Sequence, residues 1–372
     1  WLTMSTTRDG HEPDRTGLAK EKKKEIRVFM DGAFDVMHYG HMNAFRLGRG
    51  LGTTLIVGVN SDESITECKG PPLMNDEERL TMVRACKFVD EVVPGCPYIM
   101  NHEYLNYIFE KYEVDYVVHG DDPCIVDGRD VYETAKATGK FRSIPRTEGI
   151  STTNLVGRIL SLEQNDTDNR HNVTQFLGQQ SDFLMTSHIL QAFSGENKPL
   201  EPGMRVTYID GAWDLFNCGH VALLKAAKIR CDFLVVGVFG DATVNRVHGK
   251  HLPLMNLHER VLSVLGCRFV DDVLVDAPYE ISPEVIQRLK ITEVVNGSLS
   301  YDIGMSGNSK DDERFRHVWS ILTILDSPST FQPENVIDRI HKNREQFQEK
   351  FERKMKAERE LFGSKYAKDI EN

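Results

Sequence analysis

The chain contains an internal repeat, and this repeat constrains its fold more than any other feature. Sequence blocks from 27–120 recur in the same order within 205–297, displaced by about 180 residues. The recurring pairs are RVFMDGAFDVMHYGH with RVTYIDGAWDLFNCGH, PLMNDEER with PLMNLHER, CKFVDEVV with CRFVDDVL, and VVHG with VVNG. Collinear blocks of this length indicate duplication of a whole unit. We therefore predict two domains with the same fold.

Each unit alternates between strand and helix patterns. TLIVGV (54–59) is a continuous apolar run rich in β-branched residues, which is typical of a strand buried on both faces. The stretch 76–86 has helical spacing, and Asn75 is the predicted N-cap. This alternation predicts α/β domains, each with a Rossmann-like, doubly wound parallel sheet. Such sheets bind their ligands at the carboxyl ends of the strands.

The domain boundaries follow from the repeat and from local composition. We expect a disordered lead at 1–24, a first domain at 25–164, a polar linker at 165–203, a second domain at 204–336 and a helical tail at 337–372. The charged tail is expected to pack on the second domain or on a partner. Membrane association through an amphipathic face of the tail is the alternative.

Charge and cysteine content exclude several classes of protein. The net charge of −11 gives no indication of a nucleic-acid binder. The seven cysteines include no CxxC pair, which argues against a zinc site or disulfide framework and for a reducing compartment. A run of about 18 apolar residues is also absent, so we expect no membrane-spanning helix. The expected location is the cytoplasm, or peripherally at the endoplasmic reticulum membrane.

The motif HYGH follows the first strand and opens the first helix. A helix N-terminus offers unpaired N–H groups to a phosphate, and the imidazoles of His38 and His41 can donate to phosphoryl oxygens beside it. Gly40 lets the backbone approach the ligand closely. Taken alone, two nearby histidines are more often structural or surface residues. The position of His38 and His41 directly between a buried strand and a helix favours a phosphate-binding site instead.

Two further features point to phosphate binding at the same sheet edge. RTEGISTT (146–153) opens the last helix of the unit, with Arg146 as a forked donor and Ser and Thr as caps. Lys69 lies in a Gly-Pro loop after a short helix. Neither a Walker A sequence nor Gly-x-Gly-x-x-Gly occurs, which argues against a P-loop protein and a dinucleotide-binding dehydrogenase.

HYGH with the preceding GAFD, together with RTEGISTT, resembles the cytidylyltransferase family of the nucleotidyltransferase superfamily. Duplication of the whole unit resembles the tandem-domain branch of that family. The resemblance implies transfer of a cytidylyl group from CTP to phosphoethanolamine, giving CDP-ethanolamine and pyrophosphate in phosphatidylethanolamine synthesis. Phosphocholine or glycerol 3-phosphate is the alternative acceptor. A non-catalytic nucleotide sensor is an alternative of a different class.

The same resemblance implies roles for individual residues. The expected catalytic residues are His38, His41, Lys69 and Arg146. The expected CTP-binding residues are Gly32, Ala33, Phe34, Gly40, His119, Thr147, Ser151 and Thr152. Mg²⁺ is expected to bridge the CTP phosphates, without a dedicated metal site in the protein; Asp31 is a candidate contributor.

The acceptor site is predicted from the end of the VVHG strand. Asp121 or Asp122 could accept a hydrogen bond from the ammonium group, and Tyr132 could pack beside it. The alternative is an ordinary turn capped by the aspartates. An aromatic cage would suit choline, and Cys124 stands where an aromatic would be useful, so the sequence weakly favours ethanolamine.

The second unit has lost most of these features. Asn217 replaces the first histidine, and only His220 remains of the pair. DSPST (326–330) stands where RTEGISTT would be, and Arg146 has no counterpart. We predict a non-catalytic second domain, which packs on the first as an internal pseudo-dimer or binds a nucleotide as a regulator. A homodimer of whole chains is the other assembly considered.

Overall fold

The structure of the protein is a computed structural model. It describes residues 25–121, 124–126, 128–147, 149–162, 187–195, 199–249, 251–299 and 313–349, and also 352, 353 and 356. The predicted lead at 1–24, Asp122 and most of the predicted linker lie outside the described residues.

The first domain is a parallel sheet flanked by helices. Its strands are β1 (Arg27–Gly32), β2 (Thr54–Asn60), β3 (Glu91–Cys96), β4 (Tyr116–Gly120), a short antiparallel hairpin of β5 (Ile125–Val126) and β6 (Arg129–Asp130), and β7 (Phe141–Ile144). Its helices are α1 (Tyr39–Arg49), α2 (Asp62–Lys69), α3 (Asp76–Ala85), α4 (His102–Lys111), α5 (Glu133–Ala137) and α6 (Thr152–Leu162). The strand order is β3-β2-β1-β4-β7.

The second domain repeats this arrangement. Helix α7 (Ser187–Ser194) lies between the two domains in the chain. The main described elements of the second domain are β8 (Val206–Gly211), α8 (Cys218–Ile229), β9 (Phe233–Phe239), α9 (Asp241–His248), α10 (Leu257–Leu265), β10 (Asp272–Ala277), α11 (Pro283–Leu289), β11 (Glu293–Gly297), β12 (Leu322–Leu325) and α12 (Pro333–Lys342). The strand order is β10-β9-β8-β11-β12, so the predicted tandem α/β fold is confirmed.

The order of the strands places the site. β1 pairs in parallel with β2 on one side and with β4 on the other. The connections leave β1 and β4 toward opposite edges of the sheet, so a crevice opens at their carboxyl ends. Residues 55–60 of β2 are all buried, which explains the continuous apolar run. Asn75 caps α3 as predicted, with Glu78 completing a capping box.

Two described helices lie within or across the predicted boundaries. The predicted linker contains α7, whose Phe193 is buried against Phe88 with 5.4 Å between the ring centres. The predicted start of the tail at 337 falls within α12, the counterpart of the closing helix α6. Helix α12 therefore spans the predicted boundary between the second domain and the tail. Polar composition marked the linker, but a short amphipathic helix inside it carried too weak a pattern to be recognised.

The two domains pack together through pairs of symmetric contacts, each contact in one direction being matched by an equivalent one in the other. Arg158 on α6 donates both Nη groups to Glu259, at 2.7 and 2.9 Å, and Nη1 also donates to the Leu254 carbonyl at 2.9 Å. Their counterparts repeat this contact in the opposite direction, with Arg339 of α12 donating to Glu78 at 2.6 and 2.7 Å and to the Leu73 carbonyl at 2.8 Å. An approximate two-fold axis therefore relates the domains. No described helix is long and apolar enough to cross a membrane.

Candidate active site

The loop between β1 and α1 has a strained backbone. Phe34 and Val36 have positive φ values of 50° and 45°, a region that bulky side chains rarely adopt. Their counterparts Trp213 and Leu215 have φ values of 54° and 43°, so both domains keep the same loop shape. All four side chains are buried, and this packing holds the loop in place. The sequence contained no signal for this strain apart from the repeat itself.

His38 and His41 meet at the N-terminus of α1. His38 is the N-cap, and its Nδ1 accepts a hydrogen bond from the Gly40 amide at 3.1 Å. Nδ1 of His41 accepts from the His38 amide at 3.3 Å, and the ring centres are 4.1 Å apart. Since each Nδ1 accepts a hydrogen bond from a backbone amide, each neutral ring carries its proton on Nε2. Both rings are therefore fixed in the tautomer that donates from Nε2.

The N-terminus of α6 lies beside that of α1. Thr147 accepts from the Asn43 amide at 2.9 Å and donates to the Gly40 carbonyl at 3.4 Å. A Cβ on Gly40 would stand 2.9 Å from Ile150 and from the His38 ring, so only glycine fits there. The hydroxyl of Thr152 donates to the Asp35 carbonyl at 3.0 Å. The structure thus brings the HYGH and RTEGISTT segments together.

Two expected phosphate ligands lie at the rim of this site. The Arg146 amide donates to the Asp121 carboxylate at 3.1 Å, which fixes the start of the RTEGISTT segment beside the end of β4. Lys69 is the exposed last residue of α2, and its ammonium is 5.9 Å from the centre of the Tyr98 ring. Among the described residues, Lys69 forms no hydrogen bond or ion pair, and so none with the histidine pair.

Asp31, at the end of β1, is buried beneath the site. Its carboxylate accepts from the Tyr132 hydroxyl at 3.1 Å, and the Asn60 amide lies 3.5 Å away. Burial raises the pKa of Asp31 to about 7, against the lowering effect of these hydrogen bonds. The Tyr132 ring also packs on His119, with 4.3 Å between the ring centres. Tyr132 therefore links β1 to β4.

A cavity beside Tyr132 holds the predicted acceptor residues that the structure describes. Its lining residues are His119, Gly120, Asp121, Cys124, Asp130, Tyr132, Lys136, Phe141 and Ser143. Asp121 and Tyr132 line the same cavity, whereas Asp122 lies outside the described residues; their role in binding the acceptor stays a prediction. Asp130 was not predicted; its carboxylate pairs with Lys136 at 2.5 Å and accepts from the Tyr132 amide.

Sequence reasoning also missed the buried arginine that joins the parts of the site. Arg79 is fully buried in α3. It donates to the Ala33 carbonyl at 2.7 Å, to the Met74 carbonyl at 3.1 Å and to Asp62 at 2.7 Å. It therefore ties the strained loop to the start of α2, which ends at Lys69. Its counterpart Arg260 was the available signal, because the repeat retains this arginine when other charges are lost.

The second domain has a cleft at the corresponding place with different chemistry. Asn217 replaces His38, and its side-chain oxygen accepts hydrogen bonds from the Gly219 and His220 amides. Burial lowers the pKa of His220 to about 4, so this ring is neutral at pH 7. The cavity measures about 170 Å³ and is lined mainly by apolar side chains, with Ser327 where Arg146 would be.

The site contains few candidate metal ligands. Within the described part of the chain, no cluster of three or more His, Cys, Asp or Glu side chains could hold a metal ion. Asp31 is a single buried carboxylate at the end of β1. One carboxylate together with substrate phosphates is a common way for proteins to bind Mg²⁺, so this donor fits a bridging ion.

Comparisons with known proteins agree with this geometry. The cytidylyltransferase-like family model matches residues 29–158 and 208–319. Ethanolamine-phosphate cytidylyltransferase of Arabidopsis thaliana is 41% identical, with 92% of this chain and 87% of the relative covered. The Mus musculus protein of the same name is 37% identical, with 88% and 89% covered. That of Dictyostelium discoideum is 45% identical, with 77% and 82% covered. The chain therefore belongs to the ethanolamine-phosphate cytidylyltransferases, within the cytidylyltransferase-like family.

Proposed function

We propose that the protein transfers the cytidylyl group of CTP to phosphoethanolamine, at one site in the first domain. The observation that carries this proposal is the meeting of two helix N-termini, those of α1 and α6, around His38 and His41. Helix N-termini with N–H donors bind phosphate groups well. The adjoining cavity, with Asp121, Asp130 and Tyr132, suits a small molecule that carries an ammonium group.

The reaction follows from this arrangement. A phosphate oxygen of phosphoethanolamine attacks the α-phosphorus of CTP. A new P–O bond forms, the bond to the bridging oxygen breaks, and pyrophosphate leaves with that electron pair. The Nε2–H groups of His38 and His41 donate to phosphoryl oxygens as charge builds on them, and Arg146 with the N-terminus of α6 holds the triphosphate. Asp31 would contact a bridging Mg²⁺, which supplies positive charge to the phosphates.

We infer that the second domain does not catalyse. Asn217 cannot become a cation, and Ser327 replaces Arg146, so the cleft lacks the charges that the reaction needs. The loss of one transition-state donor typically costs about 10²–10³-fold in rate, and several have been lost here. The paired contacts between the domains support an internal pseudo-dimer, whereas a homodimer of whole chains stays a prediction.

An assay of pyrophosphate release tests the function. It contains CTP and Mg²⁺ and compares three acceptors in parallel: phosphoethanolamine, phosphocholine and glycerol 3-phosphate. We expect the highest kcat/KM with phosphoethanolamine, and CDP-ethanolamine as the product. A preference for another acceptor would contradict the substrate assignment. CTP binding without turnover on any acceptor would favour the nucleotide sensor instead.

A further inference from the structure

One arginine of the second domain bonds to a segment beside the active site. Arg339 on α12 donates to the Leu73 carbonyl at 2.8 Å and to both carboxylate oxygens of Glu78 at 2.6 and 2.7 Å. These contacts lie on residues 73–78, between the end of α2 at Lys69 and the first turn of α3. A residue of the domain without catalytic groups thus holds a segment beside the site in the other domain.

That segment bonds directly to the loop that carries the histidines. The Leu73 and Met74 amides each donate to a carboxylate oxygen of Asp35 at 2.8 Å. The carbonyl of Asp35 accepts from Thr152 at 3.0 Å, so the same residue anchors the N-terminus of α6. A movement of Leu73 would therefore displace both helix N-termini that face the phosphates.

Neighbouring contacts extend the same support toward Lys69. Arg79 binds the Met74 carbonyl, the Ala33 carbonyl and Asp62 at the start of α2. The helical turn 344–349 follows α12, and a Cβ on Gly70 would lie 3.6 Å from the Gln346 amide nitrogen. Helix α12 and the turn after it thus lie against Leu73 and Glu78 and near Gly70.

We propose that Arg339 is a positioning residue of the first-domain active site, acting through Leu73 and Asp35 on the loop that carries His38. This inference rests on the proposed function, and it assigns the second domain a part in the reaction without any catalytic group of its own. Arg339 does not touch substrate. It fixes the backbone that sets the distance between the α1 and α6 N-termini.

The pseudo-symmetry of the molecule supplies a matched control. Arg158 makes the same bidentate pair with Glu259 and donates to the Leu254 carbonyl at 2.9 Å. The Leu254 and Met255 amides likewise bind Asp214, the counterpart of Asp35. This second network supports the cleft that has lost its phosphate ligands. Both pairs join the same interface. Arg339 contacts the segment that bonds to Asp35, whereas Arg158 lies on α6 about two turns beyond its N-terminus, and its contacts lead to the second cleft.

The test compares full-length Arg339→Gln with Arg158→Gln. We expect similar losses of melting temperature from both variants, since each removes one bidentate pair. We also expect Arg339→Gln to lose about 10–100-fold in kcat/KM for CTP, because a displacement of about 1 Å can cost that much. Arg158→Gln should stay within about threefold of the wild type, because the network it breaks supports the cleft without catalytic groups. The KM for phosphoethanolamine should change little in either variant.

A conservative variant separates positioning from folding. Arg339→Lys keeps the charge but cannot form the forked pair, so its kcat/KM should fall between those of the wild type and Arg339→Gln. Equal losses in Arg339→Gln and Arg158→Gln, or full activity in Arg339→Gln, would overturn the proposal. If the wild type itself shows no turnover, the proposed function fails while this inference is still decided by CTP binding, which only Arg339→Gln should weaken.

Discussion

Cys86 and Cys267 face each other across the domain boundary as the paired residues of an isolated antiparallel bridge. They are counterparts in the repeat, and the hydrogen bonds on either side of them are counterparts too. The Lys87 amide donates to the Gly266 carbonyl at 2.9 Å, and the Arg268 amide donates to the Ala85 carbonyl at 2.8 Å. The approximate two-fold axis of the molecule therefore passes between the two thiols.

The rate at which these two thiols are alkylated should show whether the domains separate. Both side chains are fully buried, and burial raises the pKa of Cys86 to about 12 and that of Cys267 to about 11. Since the thiolate is the form that reacts, we expect iodoacetamide at pH 8 to modify the partly exposed Cys68 and Cys124 first. Mass spectrometry of the native protein checks this order. Modification of Cys86 as fast as Cys68 would show that the interface opens readily.

The second copy shows how to remove His38 without disturbing the fold. Asn217 occupies the same N-cap position and accepts from the Gly219 and His220 amides at 2.9 and 3.3 Å. His38→Asn should therefore keep the cap and a melting temperature near that of the wild type. Because one Nε2–H donor is lost, kcat should fall about 10²–10³-fold.

The reciprocal variant is the control for this change. Asn217→His restores the histidine pair of the second domain, but Ser327 and the rest of that cleft stay unchanged. We expect no added turnover in the background of His38→Asn. Recovery of activity in the double variant, measured by pyrophosphate release, would contradict the inference that the second domain lacks several required groups.

The sequence was sufficient for features that depend on local pattern. Alternating runs predicted the parallel sheets. The position of HYGH between a strand and a helix led us to expect that His38 and His41 can point at one phosphate, and their ring centres lie 4.1 Å apart. Arg79 and Arg339 could not be found in this way, because a buried arginine and a solvated one look alike in sequence. The partners of Arg339 are also more than 260 positions away. Such contacts are determined by how the domains pack.

Asp31 should make stability depend on pH. Burial raises its pKa in the folded protein to about 7, well above the 3.8 of an exposed aspartate. The folded state therefore binds more protons than the unfolded state between these values, and its stability falls by about 1.4 kcal/mol per pH unit as pH rises through them. Asp31→Asn does not titrate. The free energy of unfolding of this variant minus that of the wild type, measured in urea, should rise from pH 5 to pH 7 and level off by pH 8. A difference that stays constant with pH would contradict the raised pKa of Asp31.

The corresponding aspartate of the second domain is neutralised by a buried arginine. Asp210 pairs with Arg314, which also donates to the Tyr279 carbonyl at 3.0 Å and packs on the Phe239 and Phe315 rings. Arg314→Met should cost about 3–5 kcal/mol in urea unfolding, because it leaves a buried carboxylate without its cation. Adding Asp210→Asn should recover part of that loss. A double variant as unstable as the single one would show that packing of Arg314, and not its charge, dominates.

The cleft of the second domain should not bind CTP, so the chain should have a single CTP site. Pro333 and Glu334 occupy the first turn of α12, where α6 has Thr152 and Thr153, so an N–H donor is lost and a carboxylate faces the place of the phosphates. The neutral His220 ring adds no charge to offset that carboxylate. Calorimetric titration with CTP should therefore give one site per chain, and His38→Asn should weaken it. A second site of similar affinity that survives His38→Asn would show that the cleft binds CTP despite its lost cations.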